Sequence, residues 1–175
     1  MRVAVDGPPC AGPSALAADL TDPLRALGRP LLHVRAEMFW RDASVRLEHG
    51  REDVESYLSW LDAGTLRREV LSGPTYLPSL RDPVTNRATR DAARPVPPNA
   101  VLVVSGTLLL GLGLPFDKVV HLAMSSAARR RRTPTAEQWT LPAFERYDVE
   151  VRPTELADVV VKLDDPRHPA VRGLS

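Results

Sequence analysis

Apolar positions along the chain form short continuous runs that alternate with longer stretches of helical spacing. Such runs are typical of buried parallel strands, because both faces of a parallel sheet are covered. They fall at residues 2–6, 31–35, 101–105, 118–123 and 158–162. Between them, apolar residues three and four positions apart predict helices. These helices cover residues 14–27, 53–61, 63–71, 125–132 and 142–150. The alternation predicts an α/β fold with a parallel sheet of about five strands and helices on both faces.

The segments between these elements predict the organisation of the chain. Residues 73–99 are rich in Pro, Arg, Asp and Asn, which predicts a long connection, and long connections in compact domains are often functional. Asp62 precedes a predicted helix and is a candidate N-cap. We expect one domain over residues 1–163 and a solvated tail over residues 164–175.

Composition narrows the class of protein. The chain has 175 residues, 43% hydrophobic and 26% charged, which is typical of one globular domain with a proper core. A net charge of +1 favours neither nucleic acid nor an anionic membrane as a partner. The single cysteine, Cys10, excludes an intrachain disulfide. With no membrane-length apolar run and no signal-peptide pattern, the expectation is a cytoplasmic protein.

Residues 7–14, Gly-Pro-Pro-Cys-Ala-Gly-Pro-Ser, follow the first predicted strand and precede the first predicted helix. Gly7, Gly12 and Ser14 have the spacing of the phosphate-binding loop G-x-x-x-x-G-K-[ST], and Pro13 occupies the position of its lysine. The alternative interpretation is an ordinary strand-to-helix turn rich in glycine and proline. The strand–loop–helix order favours the remnant of a phosphate loop, a degenerate Walker A motif.

Proline at position 13 is compatible with the fold, because the first turn of a helix does not need that amide hydrogen. It is less compatible with phosphate chemistry, since it removes the ammonium group that reaches the β- and γ-phosphates. Pro8 and Pro9 also lack an amide donor, so the loop has lost several N–H groups that would cradle a phosphate. Cys10 has no cationic neighbour in sequence, which favours a small packed residue over a nucleophile.

Four segments resemble the uridine-kinase-like P-loop proteins, the nucleoside and metabolite kinases related to phosphoribulokinase. They are residues 2–14, residues 34–41 with their Glu-Met-Phe-Trp run, residues 101–106, and residues 146–160. The resemblance covers residues 2–162 and implies a P-loop NTPase-type three-layer sandwich. It also implies a lid around residues 125–140, and ATP with Mg²⁺ as the cofactors of the family.

The chain departs from the family where the family handles phosphate. Family members use a loop lysine, an aspartate after strand two and an acid on a later strand, and these groups are the catalyst because phosphoryl transfer is mostly positioning and charge stabilisation. The positions hold Pro13, Glu37 and Ser105, and Met38 replaces a second acid, while Ser14 keeps its identity. Each lost charge-assisted contact is worth about 2–4 kcal/mol, so the substitutions predict loss of phosphotransfer.

Glu37 keeps a carboxylate in a cleft whose neighbours are apolar. The residues that follow it are Met38, Phe39 and Trp40, and all three are candidate ligand contacts. Small-molecule pockets are mostly apolar with few polar groups, and an apolar setting raises the pKa of a carboxyl. The hypothesis is that Glu37 acts as acid or base on a neutral or apolar small molecule. Candidate helpers are His33, Ser105 and Cys10. The alternatives are that Phe39 and Trp40 cap the core and that His33 is a hydrogen-bonded core histidine.

Further candidate ligand contacts come from the long connection and the C-terminal half. They are Tyr76, Asp82, Arg87, Arg130 and Tyr147. A polar surface loop is the alternative for the connection. The four arginines at 129–132 occupy the family's lid, whose arginines approach the nucleotide phosphates. The alternatives are a solvated helix face and a nucleic-acid patch. No aromatic residues are interleaved with the arginines, which counts against the nucleic-acid patch.

Three functions remain open at this level. The first is an ATP-independent enzyme for an isomerisation, cyclisation or elimination, for example in specialised metabolite biosynthesis. The second is an ATP-dependent nucleoside or small-molecule kinase with an atypical loop. The third is a non-catalytic pseudokinase that binds or regulates. No cofactor is expected outside the kinase interpretation, and no structural metal, because no Cys/His cluster has metal-ligand spacing. The expected partner is a small molecule, with homo-oligomerisation left open.

Overall fold

The computed structural model describes residues 1–173, so the last two residues of the predicted tail lie outside the described part. The strands are β1 (Arg2–Asp6), β2 (Leu31–Arg35), β3 (Thr75–Tyr76), β4 (Arg94–Pro95), β5 (Val101–Gly106), β6 (Lys118–Ala123), β7 (Val159–Lys162) and β8 (Ala170–Arg172). The α-helices are α1 (Pro13–Asp19), α2 (Thr21–Ala26), α3 (Ala43–Arg46), α4 (Val54–Leu58), α5 (Ala63–Leu66), α6 (Ser126–Arg132), α7 (Leu141–Glu150) and α8 (Pro153–Leu156). Short 3₁₀ turns cover Pro9–Ala11, Ala36–Phe39 and Thr135–Thr140, and a π-helical turn covers Arg67–Leu71.

Six strands form one sheet in the order β2-β5-β1-β6-β7-β8. The first five are parallel, and β8 pairs antiparallel with β7 at the edge. The predicted α/β class and the five predicted strands are confirmed. All six residues of β5 are buried, which is the burial expected of a central parallel strand.

Two apolar clusters cover the two faces of the sheet. Val3, Val5 and Val103 pack with Ala17 of α1 on one face. On the other face a larger cluster joins the sheet to α4, α5 and α7. Its members include Ala4, Val34, Val104, Tyr57, Leu66 and Phe144. The sheet is therefore the middle of three layers, as a P-loop sandwich requires.

Helix boundaries differ from the sequence prediction in two places. The helix predicted over residues 14–27 divides at Leu20, because Pro23 has no amide hydrogen to donate to the carbonyl of Asp19. The predicted helix over 63–71 begins as α5 and continues as the π-helical turn. The Asp62 N-cap is confirmed, since its side chain accepts a hydrogen bond from the backbone N–H of Thr65 at 2.9 Å.

The two segments predicted without regular structure contain short strands. The 73–99 connection is pinned by β3 and β4, which pair antiparallel over two residues each. The 164–175 segment adds β8 to the edge of the sheet, although every residue of β8 is exposed. None of the strands β3, β4 and β8 has the apolar alternation that marks a strand in a sequence. Among residues 1–173, no helix has the length and apolar character needed to cross a membrane.

Candidate functional site

The loop over residues 7–14, called the former phosphate loop after the motif that its sequence resembles, leaves the carboxyl end of β1 and enters α1. Its first glycine, Gly7, donates a backbone hydrogen bond to the carbonyl of Gly106 at 3.1 Å. Gly12 has φ +77°, a left-handed conformation that glycine adopts without strain. Pro13 is the first residue of α1, where the missing amide hydrogen costs nothing. The loop thus has the strand-to-helix placement that the motif predicts.

The amides of this loop do not fit a phosphate nest. Pro8, Pro9 and Pro13 have no amide hydrogen. Ala11 donates its amide to the Pro8 carbonyl at 2.9 Å, and Gly12 donates to the Pro9 carbonyl at 3.0 Å. A phosphate cradle needs several amides that converge on the ligand. With three donors missing and two used inside the loop, these residues do not fit the β- and γ-phosphates of ATP.

The Ser14 hydroxyl, which would contact a metal in the family, is engaged by other side chains. It is hydrogen-bonded to the hydroxyl of Ser105 at 2.9 Å, and Ser105 is bonded in turn to Nε2 of His33 at 2.8 Å. Burial lowers the pKa of His33, and the nearby Arg35 guanidinium lowers it further. A neutral imidazole therefore braces Ser105 and the start of α1. Within residues 1–173, no three His, Cys, Asp or Glu side chains gather as a metal site.

A cavity of about 320 Å³ opens at the carboxyl ends of β1, β2 and β5, beside the loop. Its lining residues are Pro9, Arg35, Glu37, Trp40, Tyr57, Trp60, Thr107, Glu137, Trp139 and Thr140. This is the edge at which parallel α/β sheets bind ligands, and the volume suits a small molecule. Another cavity, between α2 and β2, is lined by neither aromatic residues nor carboxylates.

Glu37 lies in the wall of this cavity within the 3₁₀ turn that follows β2. Its side chain is 19% exposed, and Oε2 is buried without a hydrogen-bond partner among the described residues. The Nε atom of Arg35 is 3.7 Å from Oε2, which is too long for a hydrogen bond. Burial raises the pKa of the Glu37 carboxyl, and its own backbone hydrogen bond and Arg35 oppose that rise. A carboxyl with a raised pKa is suited to giving up and taking back a proton.

Of the three predicted catalytic residues, Glu37 alone lines the cavity. His33 and Ser105 lie under α1 on the face that packs against the loop, because alternate residues of a strand point to opposite faces. They touch each other but are not among the residues lining the cavity. Cys10 is close to Met124 and Thr133, with its Sγ atom 3.7 Å from the Met124 sulfur. The structure therefore brings His33 and Ser105 together without bringing them to Glu37.

The predicted ligand contacts divide in the same way. Trp40 lines the cavity. Phe39 and Tyr76 are corrections, because they are 0% and 7% exposed and belong to the larger core cluster. Met38 packs against that cluster, and its carbonyl accepts the amides of Leu80 and Arg81. Apolar packing, which the sequence alternative anticipated for Phe39, holds these residues away from the cavity.

The polar candidates also lie elsewhere in the fold. Asp82 accepts the amides of Val84 and Thr85 and closes a turn of the long connection, with the pKa of its carboxyl lowered chiefly by Thr85. Arg87 and Arg130 are exposed and do not line the cavity. These placements favour the polar-surface alternative for the 73–99 connection.

Tyr147 is another correction, because its hydroxyl is used inside the fold. It donates to Oδ2 of Asp6 at 3.1 Å and accepts the amide of Leu110 at 2.9 Å. Asp6 is completely buried and also bonds to Nδ1 of His121 at 2.7 Å and to the amide of Leu109 at 2.9 Å. Burial and the Asp6 carboxylate raise the pKa of Tyr147. This buried Asp6 network anchors the end of β1 directly beneath the loop.

The arginine run has a mixed role. Arg129 is buried and pairs with Asp148 at 2.8 Å, its guanidinium 5.5 Å from the ring centre of Phe144. Arg132 donates to the carbonyls of Cys10 at 2.6 Å and Leu163 at 2.8 Å. It therefore ties α6 to the former phosphate loop. The next segment, residues 135–140, supplies one wall of the cavity, and its role as a lid stays a prediction.

Sequence reasoning missed most of the cavity wall. Tyr57 and Trp60 come from α4 and its end, Thr107 follows β5, and Glu137 and Trp139 come from the 135–140 turn. The position of Thr107, just beyond a predicted buried strand, was a usable signal. Asp6, the charged last residue of an apolar strand, was another. For the tryptophans, the sequence carries no signal that separates a cavity wall from a core.

Solved structures share this arrangement of elements over nearly the whole chain. A "possible uridine kinase" from Bacillus stearothermophilus superposes with a TM-score of 0.73 at 19% identity, covering 91% of this chain and 87% of that one. The fold is that of the uridine-kinase-like P-loop proteins.

Two further structures with lower TM-scores agree with the uridine-kinase-like fold. A protein described as a fructose transport system kinase, from Silicibacter sp. TM1040, has a TM-score of 0.54 at 21% identity over 90% of this chain and 85% of its own. The YGR205w protein has a TM-score of 0.55 at 11% identity over 100% of this chain and 90% of its own. No protein-family model and no curated protein sequence matches the chain. At these identities the likeness establishes the fold alone.

Proposed function

We propose that the chain binds a small, largely apolar molecule in the Glu37 cavity and converts it by proton transfer, without ATP. The observation that supports this proposal is the Glu37 carboxyl itself. Glu37 is the more buried of the two acids that line the cavity, since Glu137 is exposed. Burial raises the pKa of its carboxyl, and its Oε2 atom has no hydrogen-bond partner among the described residues. A carboxyl whose charged form is disfavoured by burial holds its proton more firmly than a free one and can act as an acid or a base.

The reaction class that needs least from the site is an isomerisation. Glu37 Oε2 would take a proton from one atom of the ligand and return it to another, so that atoms and electrons balance without a second substrate. A cyclisation or an elimination needs the same proton transfer. The aromatic walls would exclude water, which strengthens electrostatic interactions with the carboxylate during transfer.

The second candidate is an ATP-dependent small-molecule kinase. The named kinases among the similar structures favour it. The engaged amides of the former phosphate loop and the Ser14–Ser105 hydrogen bond count against it. Titration calorimetry with ATP, with and without Mg²⁺, separates the two. We expect no binding at millimolar ATP. Micromolar, Mg²⁺-dependent binding would reverse the ranking.

The third candidate is a binding protein that performs no reaction, and a Glu37→Gln variant tests it. A screen of apolar metabolites against the tryptophan emission would first identify ligands, which are then checked for turnover. Glutamine keeps the size and hydrogen-bonding capacity of the side chain but cannot exchange a proton. We expect turnover of a neutral ligand to fall about 10²–10⁴-fold while its affinity changes little. Ligands that bind but are never converted by the wild-type protein would favour the non-catalytic candidate.

A further inference from the structure

The wall of the Glu37 cavity contains all three tryptophans of the chain, Trp40, Trp60 and Trp139, together with Tyr57. Their rings form one continuous cluster. Ring centres are 5.1 Å apart for Trp40 and Trp60, 4.9 Å for Tyr57 and Trp60, and 5.3 Å for Tyr57 and Trp139, all in edge-to-face contact. These residues come from three separate segments that converge on one cavity. We refer to the four residues as the aromatic cage.

The charged groups of the same cavity are predominantly acidic. Glu37 and Glu137 line it with one cation, Arg35, whose side chain is 53% exposed. The pKa of the Tyr57 hydroxyl is raised to about 12, chiefly by burial. A hydrogen bond with Thr107 lowers this pKa, and the charges of Glu37 and Glu137 both raise it. The buried Oε2 of Glu37 also lacks a donor among residues 1–173. A buried acceptor without a donor is unfavourable, and a ligand that carries an N–H group or a positive charge would offset that cost.

The indoles of the cage already stabilise one positive charge. The guanidinium of Arg46 lies 5.2 Å from the ring centre of Trp40 and 4.8 Å from that of Trp60. Arg46 is 6% exposed, and none of the ion pairs among the described residues involves it. It faces a neighbouring cavity on the far side of the tryptophans. Its Nε atom donates to the Arg41 carbonyl at 2.8 Å, and the Asp42 carboxylate favours its charge from beyond ion-pair distance. Aromatic faces therefore help to hold a buried cation here with no carboxylate in an ion pair, as cation–π attraction allows.

We propose that the ligand of the Glu37 cavity carries an organic ammonium group, held between the aromatic cage and the carboxylates of Glu37 and Glu137. Aromatic rings bind such groups through the quadrupole of the π system, and desolvation in a cavity strengthens the attraction. The two carboxylates are needed as well, because Arg35 and Arg46 oppose a further positive charge. The inference rests on the proposed function, since it assigns the charge of the molecule that Glu37 would act on.

The test compares ligands that differ in charge and share shape. Choline and 3,3-dimethylbutan-1-ol are isosteres, one a quaternary ammonium and the other neutral. Because every tryptophan of the chain lines the cavity, tryptophan emission detects binding there, and calorimetry checks the affinity. The same tryptophans line the neighbouring cavity beside Arg46, which Glu137 does not line, so a variant of Glu137 distinguishes the two. We expect choline to bind at least ten-fold more tightly than the alcohol, with the preference falling as salt is added.

Two exposed carboxylates provide a matched pair of variants. Glu137→Gln removes a cavity charge, and Glu145→Gln removes a charge from the exposed side of α7. We expect Glu137→Gln to weaken choline binding several-fold and leave the alcohol unchanged, and Glu145→Gln to alter neither.

The outcomes separate the ammonium inference from the proposed function. Equal affinity for choline and the alcohol would overturn the inference while leaving an apolar ligand site intact. If neither compound binds at millimolar concentration, and no apolar metabolite from the screen does so either, then both the inference and the proposed function are wrong.

Discussion

Asp6 shows at the scale of one residue how the fold is fixed beneath the former phosphate loop. Its two oxygens serve the Leu109 amide, the His121 ring and the Tyr147 hydroxyl in a site with no solvent exposure. A buried carboxylate is tolerated only when its lone pairs are occupied in this way. The loop therefore starts from a rigid point, whatever it binds.

We predict that Asp6→Asn lowers the free energy of unfolding by about 2–4 kcal/mol, because the amide places a donor where donors already converge. Urea unfolding measures the loss. The control is Asp22→Asn, since Asp22 pairs with Arg25 in an exposed ion pair on α2 and should matter by less than about 1 kcal/mol. Similar losses in the two variants would contradict the role given to the Asp6 network.

Glu37 makes a contribution to the stability of the folded chain that depends on pH. Burial raises the pKa of Glu37 in the folded chain. The folded state therefore keeps the proton to a higher pH than the unfolded state, in which a glutamate has a pKa of about 4.3. Stability contributed by this residue is therefore full below that pH and falls as pH rises towards the folded pKa.

We predict that Glu37→Gln gains stability relative to the wild type as pH rises from 4 to 8. The gain is about 1.4 kcal/mol for each pH unit that separates the folded and unfolded pKa values. Thermal unfolding at a series of pH values measures it. A difference between the two proteins that is constant with pH would mean that Glu37 titrates as an exposed glutamate does.

At the scale of elements, α6 locks the loop in place through one of its four arginines. Arg132 donates to carbonyls of the loop and of the residue after β7, whereas Arg131 is exposed. We predict that Arg132→Ala costs about 1–3 kcal/mol of unfolding free energy, because two charge-assisted hydrogen bonds are lost. Arg131→Ala is the matched control and should change stability by less than about 0.5 kcal/mol. Chemical denaturation distinguishes the two, and equal losses would assign the effect to net charge.

A substitution in the former phosphate loop tests whether Pro13 alone prevents nucleotide binding. Pro13→Lys restores the motif lysine at the first position of α1. We predict that this variant still fails to bind Mg²⁺-ATP at millimolar concentration, because Pro8 and Pro9 supply no amides and those of Ala11 and Gly12 remain bonded inside the loop. Calorimetry with the wild type alongside is the measurement. Micromolar binding would show that the lysine alone was missing.

At the scale of the molecule, the sequence predicted the sheet well and the site only in part. The five parallel strands were recognisable because burial on both faces makes each a continuous apolar run. The edge strand β8 was missed because all of its residues are exposed. Glu37 was singled out because the family resemblance places an acid just after strand two, and in the structure only Ala36 separates it from β2. Tyr57 and Trp139 reach the same cavity through tertiary packing, which no local pattern records.

The isolation of Cys10 gives the molecule a built-in pair of optical probes. Cys10 is half-buried next to the cavity-lining Pro9 and is the single cysteine of the chain, so a thiol-directed acceptor dye would mark one position. Every tryptophan donor lies in the facing wall, and a chain of this length has a radius of gyration of about 16 Å, well within energy-transfer range. Donor quenching in the labelled wild-type chain would therefore follow the average separation of the loop from the aromatic cage in real time, without any engineered residue.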